Sequence, residues 1–243
     1  MNLRLCSLLL VSLSLSVAAG AAGAAGLDQY LVARWTFNDG SLKADKGGYL
    51  LRMLEIGSGS SLTVEKGQAN LGRGTLLACE NINSATMPKL GRNITIWARL
   101  RIDAPAPATA FLFGLRDQVP AGDWKNMVLA VRARDLPANA TNAFVRFATG
   151  SQMNSPSLSV ALEPGKFVSV ALVFDGDTKA VTYVVDGQSL VGKHKDAVAL
   201  GDFNNFAIGR LKEAGAVAMT IDEVRIYSVA LSPEWVADIT PVK

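Results

Sequence analysis

The stretch FVSVALVFDGDTKAVTYVVDGQSLV, residues 167–191, decides how the rest of the chain is read. Phe167 to Phe174 is a run of β-branched and aromatic residues of strand length, Asp175-Gly176-Asp177-Thr178 is a turn, and Lys179 to Val185 returns as a second strand. Asp186-Gly187 then supplies the positive-φ pair that a two-residue hairpin needs, and Gln188 to Val191 is a third strand. Three strands in succession predict an antiparallel meander. Within the first of them, alternation puts Val168, Val170, Leu172 and Phe174 on one face and Ser169 and Val173 on the other, so one side is buried against a second layer.

Working outward, the same pattern of short apolar runs separated by Gly, Asp, Asn and Pro continues along the chain. Further strands are expected at Leu31 to Phe37, Leu62 to Val64, Leu76 to Ala78, Ile94 to Ile102, Ala110 to Leu115, Met127 to Arg132, Ala143 to Ala148, Ser157 to Ala161, Phe206 to Ile208 and Met219 to Tyr227. Helical periodicity is confined to the C-terminus, where Ser232 is placed to cap a turn or two that begins at Pro233, with Glu234 at the positive end of its dipole and Pro241 beyond its end. Many short strands and almost no helix predict an all-β, two-sheet antiparallel sandwich. Ala104-Pro105-Ala106-Pro107-Ala108 reads as a loop, because a domain boundary there leaves two pieces too poor in strands to close.

The N-terminus has a different character. Met1 to Arg4 is a short positive start, Leu5 to Val17 is apolar with only serines interrupting, and Ala18 to Gly26 is built of small residues. This is the order of a secretory signal peptide, with cleavage expected between Ala19 and Gly26, and the apolar run is too short for a membrane span. Residues 1–26 are therefore expected to be a leader and residues 27–243 one domain, secreted to an extracellular or periplasmic space. Of two cysteines, Cys6 falls in the leader, so an internal disulfide is excluded and Cys79 is expected to be an inert buried thiol. The formal charge is +3 and the basic residues are dispersed, which excludes the charge footprint of a nucleic-acid binder.

Several segments resemble one family, the laminin-G-like, concanavalin A-type jelly rolls. Leu31 to Gly40 is similar to that family's opening strand and turn, and Asp45-Lys46-Gly47-Gly48 to the element that follows. Ile94 to Leu100, with Trp97, resembles its central strand. Phe167 to Gly187, Phe206 to Arg210 and Ile221 to Tyr227, with Ala230-Leu231-Ser232, complete the set in order. The resemblance implies a jelly-roll sandwich, and it implies a structural calcium tying the first turn to the last long strand through Asp45 and Asp222, with Asn38 as a third ligand. Oxygen donors of this kind suit calcium, which draws its remaining ligands from backbone and water. It also implies binding of a carbohydrate or an extracellular protein through edge loops. Trp124, in the turn-like Ala121 to Asn126, is the candidate plate for stacking against a sugar. Trp35 and Trp97 are expected in the core, and Trp235 is expected to pack back onto the sheet.

Catalysis is not expected. Glycan-cleaving relatives carry Glu-x-Asp-x-x-Glu on one strand, a spacing absent here, and the adjacent Asp222 and Glu223 are expected to face opposite sides of their strand. A single histidine, His194, leaves no material for zinc sites or Ser-His-Asp triads. A non-catalytic binding module is the leading reading. A structural or adhesive surface protein and a divergent lyase or hydrolase are the alternatives. The triplets Asn93-Ile94-Thr95 and Asn139-Ala140-Thr141 satisfy the glycosylation acceptor rule.

Overall fold

A computed structural model describes residues 26–55, 57–80, 93–104, 110–116, 126–132, 141–149, 152–153, 157–193, 205–209 and 217–240. These form two antiparallel sheets of eight strands each. The first sheet contains β1 (Leu31–Trp35), β3 (Leu62–Glu65), β4 (Gln68–Leu71), β6 (Asn93–Ile102), β12 (Phe167–Asp175), β13 (Ala180–Val185), β14 (Gln188–Lys193) and β16 (Met219–Tyr227). Its order is β14-β13-β12-β6-β16-β4-β3, with β1 also on β16. The second contains β2 (Arg52–Glu55), β5 (Thr75–Cys79), β7 (Ala110–Arg116), β8 (Asn126–Arg132), β9 (Thr141–Thr149), β10 (Gln152–Met153), β11 (Ser157–Leu162) and β15 (Asn205–Gly209), ordered β10-β9-β8-β7-β15-β5-β2 with β11 on β9.

The expected meander is present: β12 pairs with β13 and β13 with β14. Asp186 and Gly187 sit at φ 44° and 81° in the tight turn between the last two. In the preceding turn Asp175 Oδ1 accepts from the amides of Asp177 and Thr178. Strands β2, β4 and β10 were not expected, because each is short and carries polar residues. The first strand ends at Trp35 rather than Phe37, since Phe37 adopts φ 58° and turns the chain out of the sheet.

Between the sheets lies the main core. The first sheet contributes Val168, Val170, Leu172, Phe174, Ile94, Ile96, Leu100, Ile221 and Val224, and the second Leu77, Cys79, Leu115, Phe206 and Ile208. Trp35 is fully buried and stacks on Phe206, with ring centroids 5.7 Å apart, and Tyr49 lies tilted against Trp35 at 6.2 Å. Burial pushes the Tyr49 phenol up to about 12 and the Cys79 thiol up to about 11, so Cys79 is protonated and unreactive at neutral pH, as expected of a buried thiol.

A second, smaller core lies on the opposite face of the first sheet. Trp97, Ala171, Val173, Val184, Leu31 and Tyr227 project outward there, and Leu27, Leu231, Val236 and Ile239 cover them. Trp97 is thus buried, but in this cap rather than between the sheets. The helix Pro233–Asp238 forms the lid, capped by Ser232, whose Oγ accepts from the Trp235 amide at 3.4 Å. Val236 and the C-cap residue Ile239, three residues apart, face inward, which turns Trp235 away from the sheet and leaves it 41% exposed. The expectation that Trp235 packs back is corrected on this point. No helix among the described residues is long and apolar enough to cross a membrane.

Candidate functional site

The outer face of the first sheet divides in two, and its open half is the candidate site. Strand register fixes which side chains meet there. Phe167 lies opposite Arg101, Arg101 opposite Thr220, and Thr220 opposite Asn70. One row away, Ser169 lies opposite Arg99 and Arg99 opposite Glu223. Alternation along β6 sends Ile94, Ile96, Ala98, Leu100 and Ile102 inward to the main core, which commits Arg99 and Arg101 to the outer face.

Phe167 is only partly buried, and both guanidinium carbons approach its ring, Arg99 at 5.4 Å and Arg101 at 5.1 Å from the centroid. Ring quadrupole and cation attract one another at these distances, so the arginines are held flat against the strand instead of sweeping solvent. Arg101 Nε donates to Asp103 Oδ1 at 2.7 Å and its Nη2 to Thr220 Oγ1 at 2.9 Å. Thr220 in turn donates to Asn70 Oδ1 at 2.9 Å. Arg99 Nη1 lies 3.3 Å from Asp222 Oδ2, and Gln68 Nε2 donates to Asp222 Oδ1 at 3.4 Å. The side chains of Arg99, Arg101, Asp103 and Asp222 keep 21%, 32%, 33% and 31% of their surface exposed to solvent.

The expected separation of Asp222 and Glu223 to opposite faces does not hold. Pairing shifts between Ile221 and Glu223, opposite Leu100 and Arg99, so Asp222 is the extra residue of a β-bulge. A bulge cancels one step of alternation, and both carboxylates then meet arginines of the outer face. Glu223 Oε1 accepts from Arg34 Nε at 2.8 Å and from Arg225 Nε at 2.7 Å, and its Oε2 accepts from Arg225 Nη2 at 2.8 Å. The bulge also marks the point where β16 exchanges one neighbour for another, pairing with β4 up to Ile221 and with β1 from Val224.

The three residues suggested for calcium lie around this exchange. Asp45 Oδ2 accepts from the amide of Thr36, the residue after β1, at 3.0 Å. Trp35, the end of β1, pairs with Val224, two residues along from Asp222. The side-chain oxygen of Asn38 lies beside the Gly67 turn, 2.5 Å from where a Cβ on Gly67 would stand, and Gly67 has φ 73°, so only glycine fits there. Among the described residues, no three His, Cys, Asp or Glu side chains come together as a metal cluster. Trp124 and His194 lie outside the described residues. Asn93 Oδ1 accepts from the Gly176 amide at 2.8 Å, and Thr95 is fully buried, so this acceptor triplet is locked into the sheet.

Phe167, Arg99, Arg101 and Asn70 were not among the residues singled out from the sequence. The two arginines were legible as polar positions of the apolar strand β6, but only register shows that all four share one patch.

The family model of the concanavalin A-like lectin/glucanases superfamily, of laminin-G type, matches residues 80–237. The chain belongs to this superfamily. No curated protein sequence matches it. Among solved structures, domain 4 of AbnA, an extracellular arabinanase from Geobacillus stearothermophilus in complex with arabinotriose, is similar with TM-score 0.65 and 16% identity, covering 87% of this chain and 98% of that one. A Trypanosoma rangeli sialidase in complex with sialic acid gives TM-score 0.62 at 16% identity, over 87% of this chain and 32% of that one. Botulinum neurotoxin type C, whose cell entry depends on two ganglioside molecules, gives 0.61 at 11% identity, over 86% and 50%. At these identities the likeness shows the lectin-like sandwich fold, and the chain spans half of the toxin chain and a third of the sialidase chain.

Proposed function

We propose that this superfamily member is a secreted, non-catalytic module that binds a glycan on the open half of its first sheet, with Phe167 as the stacking surface. The observation that carries the reading is a partly exposed aromatic ring bordered by fixed polar side chains, the combination that sugar sites use to hold C–H faces and hydroxyls together. The glycan complexes of fold neighbours support it by analogy of fold only. The non-catalytic reading is supported by Asp103, Asp222 and Glu223, each engaged by an arginine.

A glycan array tests the proposal. The wild-type protein is expected to retain a defined set of sugars that Phe167→Ala loses. Loss with Trp124→Ala and retention with Phe167→Ala would move the site to an edge loop, and silence of the wild type would sink glycan binding. Release of reducing or unsaturated ends from bound polysaccharide would overturn the non-catalytic reading.

Structural calcium at Asn38, Asp45 and Asp222 is a further part of this proposal. It is supported by the all-oxygen donor set around the exchange between β1 and β4, where calcium would replace Arg99 as the partner of Asp222. Calcium is expected to raise the melting temperature and Asp222→Ala to abolish the rise; identical melts in calcium and chelator would remove calcium from the account. A second reading, self-assembly, draws on β14, the outermost strand of its sheet, where Val191 is 60% exposed. Light scattering that shows a monomer would discard it.

A further inference from the structure

We infer that the saccharide taken by this face is acidic, with a carboxylate or sulfate group received by Arg99 and Arg101. The inference rests on the glycan-binding reading above and adds the chemical class of the ligand. It comes from an inventory of donors and acceptors across the open half.

The carboxylates are already engaged. Asp103 Oδ1 meets Arg101 Nε and its Oδ2 lies 3.2 Å from Thr220 Oγ1. Both oxygens of Asp222 face Gln68 and Arg99, both oxygens of Glu223 face Arg225, and the amide oxygen of Asn70 faces Thr220. Donors, by contrast, are left over. A guanidinium has five N–H groups. Arg101 uses Nε and Nη2, and Arg99 uses Nη1, so Arg101 Nη1 and Arg99 Nε and Nη2 have no partner among the described residues. The amide nitrogen of Asn70 has none there either.

A neutral sugar hydroxyl both donates and accepts, and it gains less from a surface whose carboxylates are already taken by arginines. A carboxylate or sulfate only accepts, and two guanidiniums give it short charge-assisted bonds with fixed forks. The arginines cannot swing away, because each lies against Phe167 and is anchored by one carboxylate from the far side. A pyranose ring on Phe167 would bring an acidic substituent within reach of both.

The test is an array that carries uronate-bearing, sialylated, sulfated and neutral glycans, with methyl-esterified versions of the carboxylated ones. The inference expects retention confined to acidic glycans, weakened by about 0.5 M NaCl through screening. Loss on esterification would assign a carboxylate, and retention confined to sulfated glycans would assign a sulfate. Arg99→Gln and Arg101→Gln are each expected to weaken retention by about tenfold or more, and Arg101→Lys, which keeps the charge without the fork, by a smaller factor. Unchanged melting curves for Arg101→Lys separate lost binding from lost folding. Neutral glycans retained equally by wild type and both Gln variants would overturn the acidic class and leave the glycan module standing. Silence toward every glycan would overturn that module and the inference together.

Discussion

The two halves of the first sheet's outer face are built on the same strands and treated in opposite ways. At one end β6, β12 and β16 present Trp97, Ala171, Val173 and Tyr227, and the chain spends both of its described ends covering them. Ser228 N donates to the Tyr30 carbonyl at 2.9 Å, Trp97 Nε1 donates to Thr240 Oγ1 at 3.3 Å, and Arg225 Nη1 donates to the Ile239 carbonyl at 3.1 Å while its guanidinium lies 4.8 Å from the Trp97 ring centroid. A few residues along, the same strands present Ser169, Arg99, Arg101 and Phe167, all partly exposed, with Thr220 buried beneath Arg101. Large apolar side chains on a sheet's outer face must be shielded from water, whereas paired arginines and carboxylates tolerate it. The contrast separates a face kept for stability from a face free for a ligand.

The largest expected effect comes from exchanging the aromatic residue in each half. Trp97→Ala leaves a cavity in the cap and is expected to cost about 3–5 kcal/mol in urea unfolding, while Phe167→Ala, partly exposed, costs about 1 kcal/mol. Similar losses from the two would break the comparison and make the open half structural. Next is Thr95, whose buried hydroxyl donates to the Val229 carbonyl at 2.8 Å and accepts from the Leu231 amide at 2.9 Å. Thr95→Val keeps the shape and orphans both groups, so a loss of about 1–3 kcal/mol is expected, with glycan retention unchanged. Retention that falls along with stability would show that the halves are coupled.

Alkaline titration sharpens the comparison further. Burial raises the Tyr227 phenol above its ordinary range. An acid whose folded pKa is raised stabilises the fold below its unfolded pKa, near 10, and that stability is lost as pH rises toward the folded value. The melting temperature is expected to fall above pH about 10, and Tyr227→Phe is expected to make the fall shallower. An unchanged slope would remove Tyr227 from the cap's contribution, leaving Tyr49 and Cys79 in the main core as its source. The smallest effect belongs to Ser232→Ala, which removes the cap of the covering helix. It is expected to cost about 1 kcal/mol and to raise tryptophan quenching as Trp97 is uncovered.

The sandwich was legible because its signals are local. The turn at Asp186-Gly187 needs positive φ, the alternation from Val168 to Phe174 needs one buried face, and Ser232-Pro233 needs only its own helix start. Where reading failed, a distant contact was responsible. Asp222 and Glu223 were assigned to opposite faces because alternation is the rule, and a bulge is created by pairing with β6, which adjacent residues do not encode. Trp235 was assigned inward because tryptophan is apolar, but helix phase is fixed by Val236 and Ile239 meeting the sheet.

By itself, then, the sequence determined an all-β chain with a meander, a capped terminal turn and a buried thiol at Cys79, because turn chemistry and side-chain period act over a few residues. Only the tertiary structure decided that Trp97 and Val173 form a second core under Leu27, Leu231, Val236 and Ile239. It alone brought Phe167, Arg99, Arg101, Thr220 and Asn70 into one patch from four strands spread over 150 residues of separation between Asn70 and Thr220. Strand pairing across such distances is set by how the two sheets close on their common core, and no window of sequence contains that information.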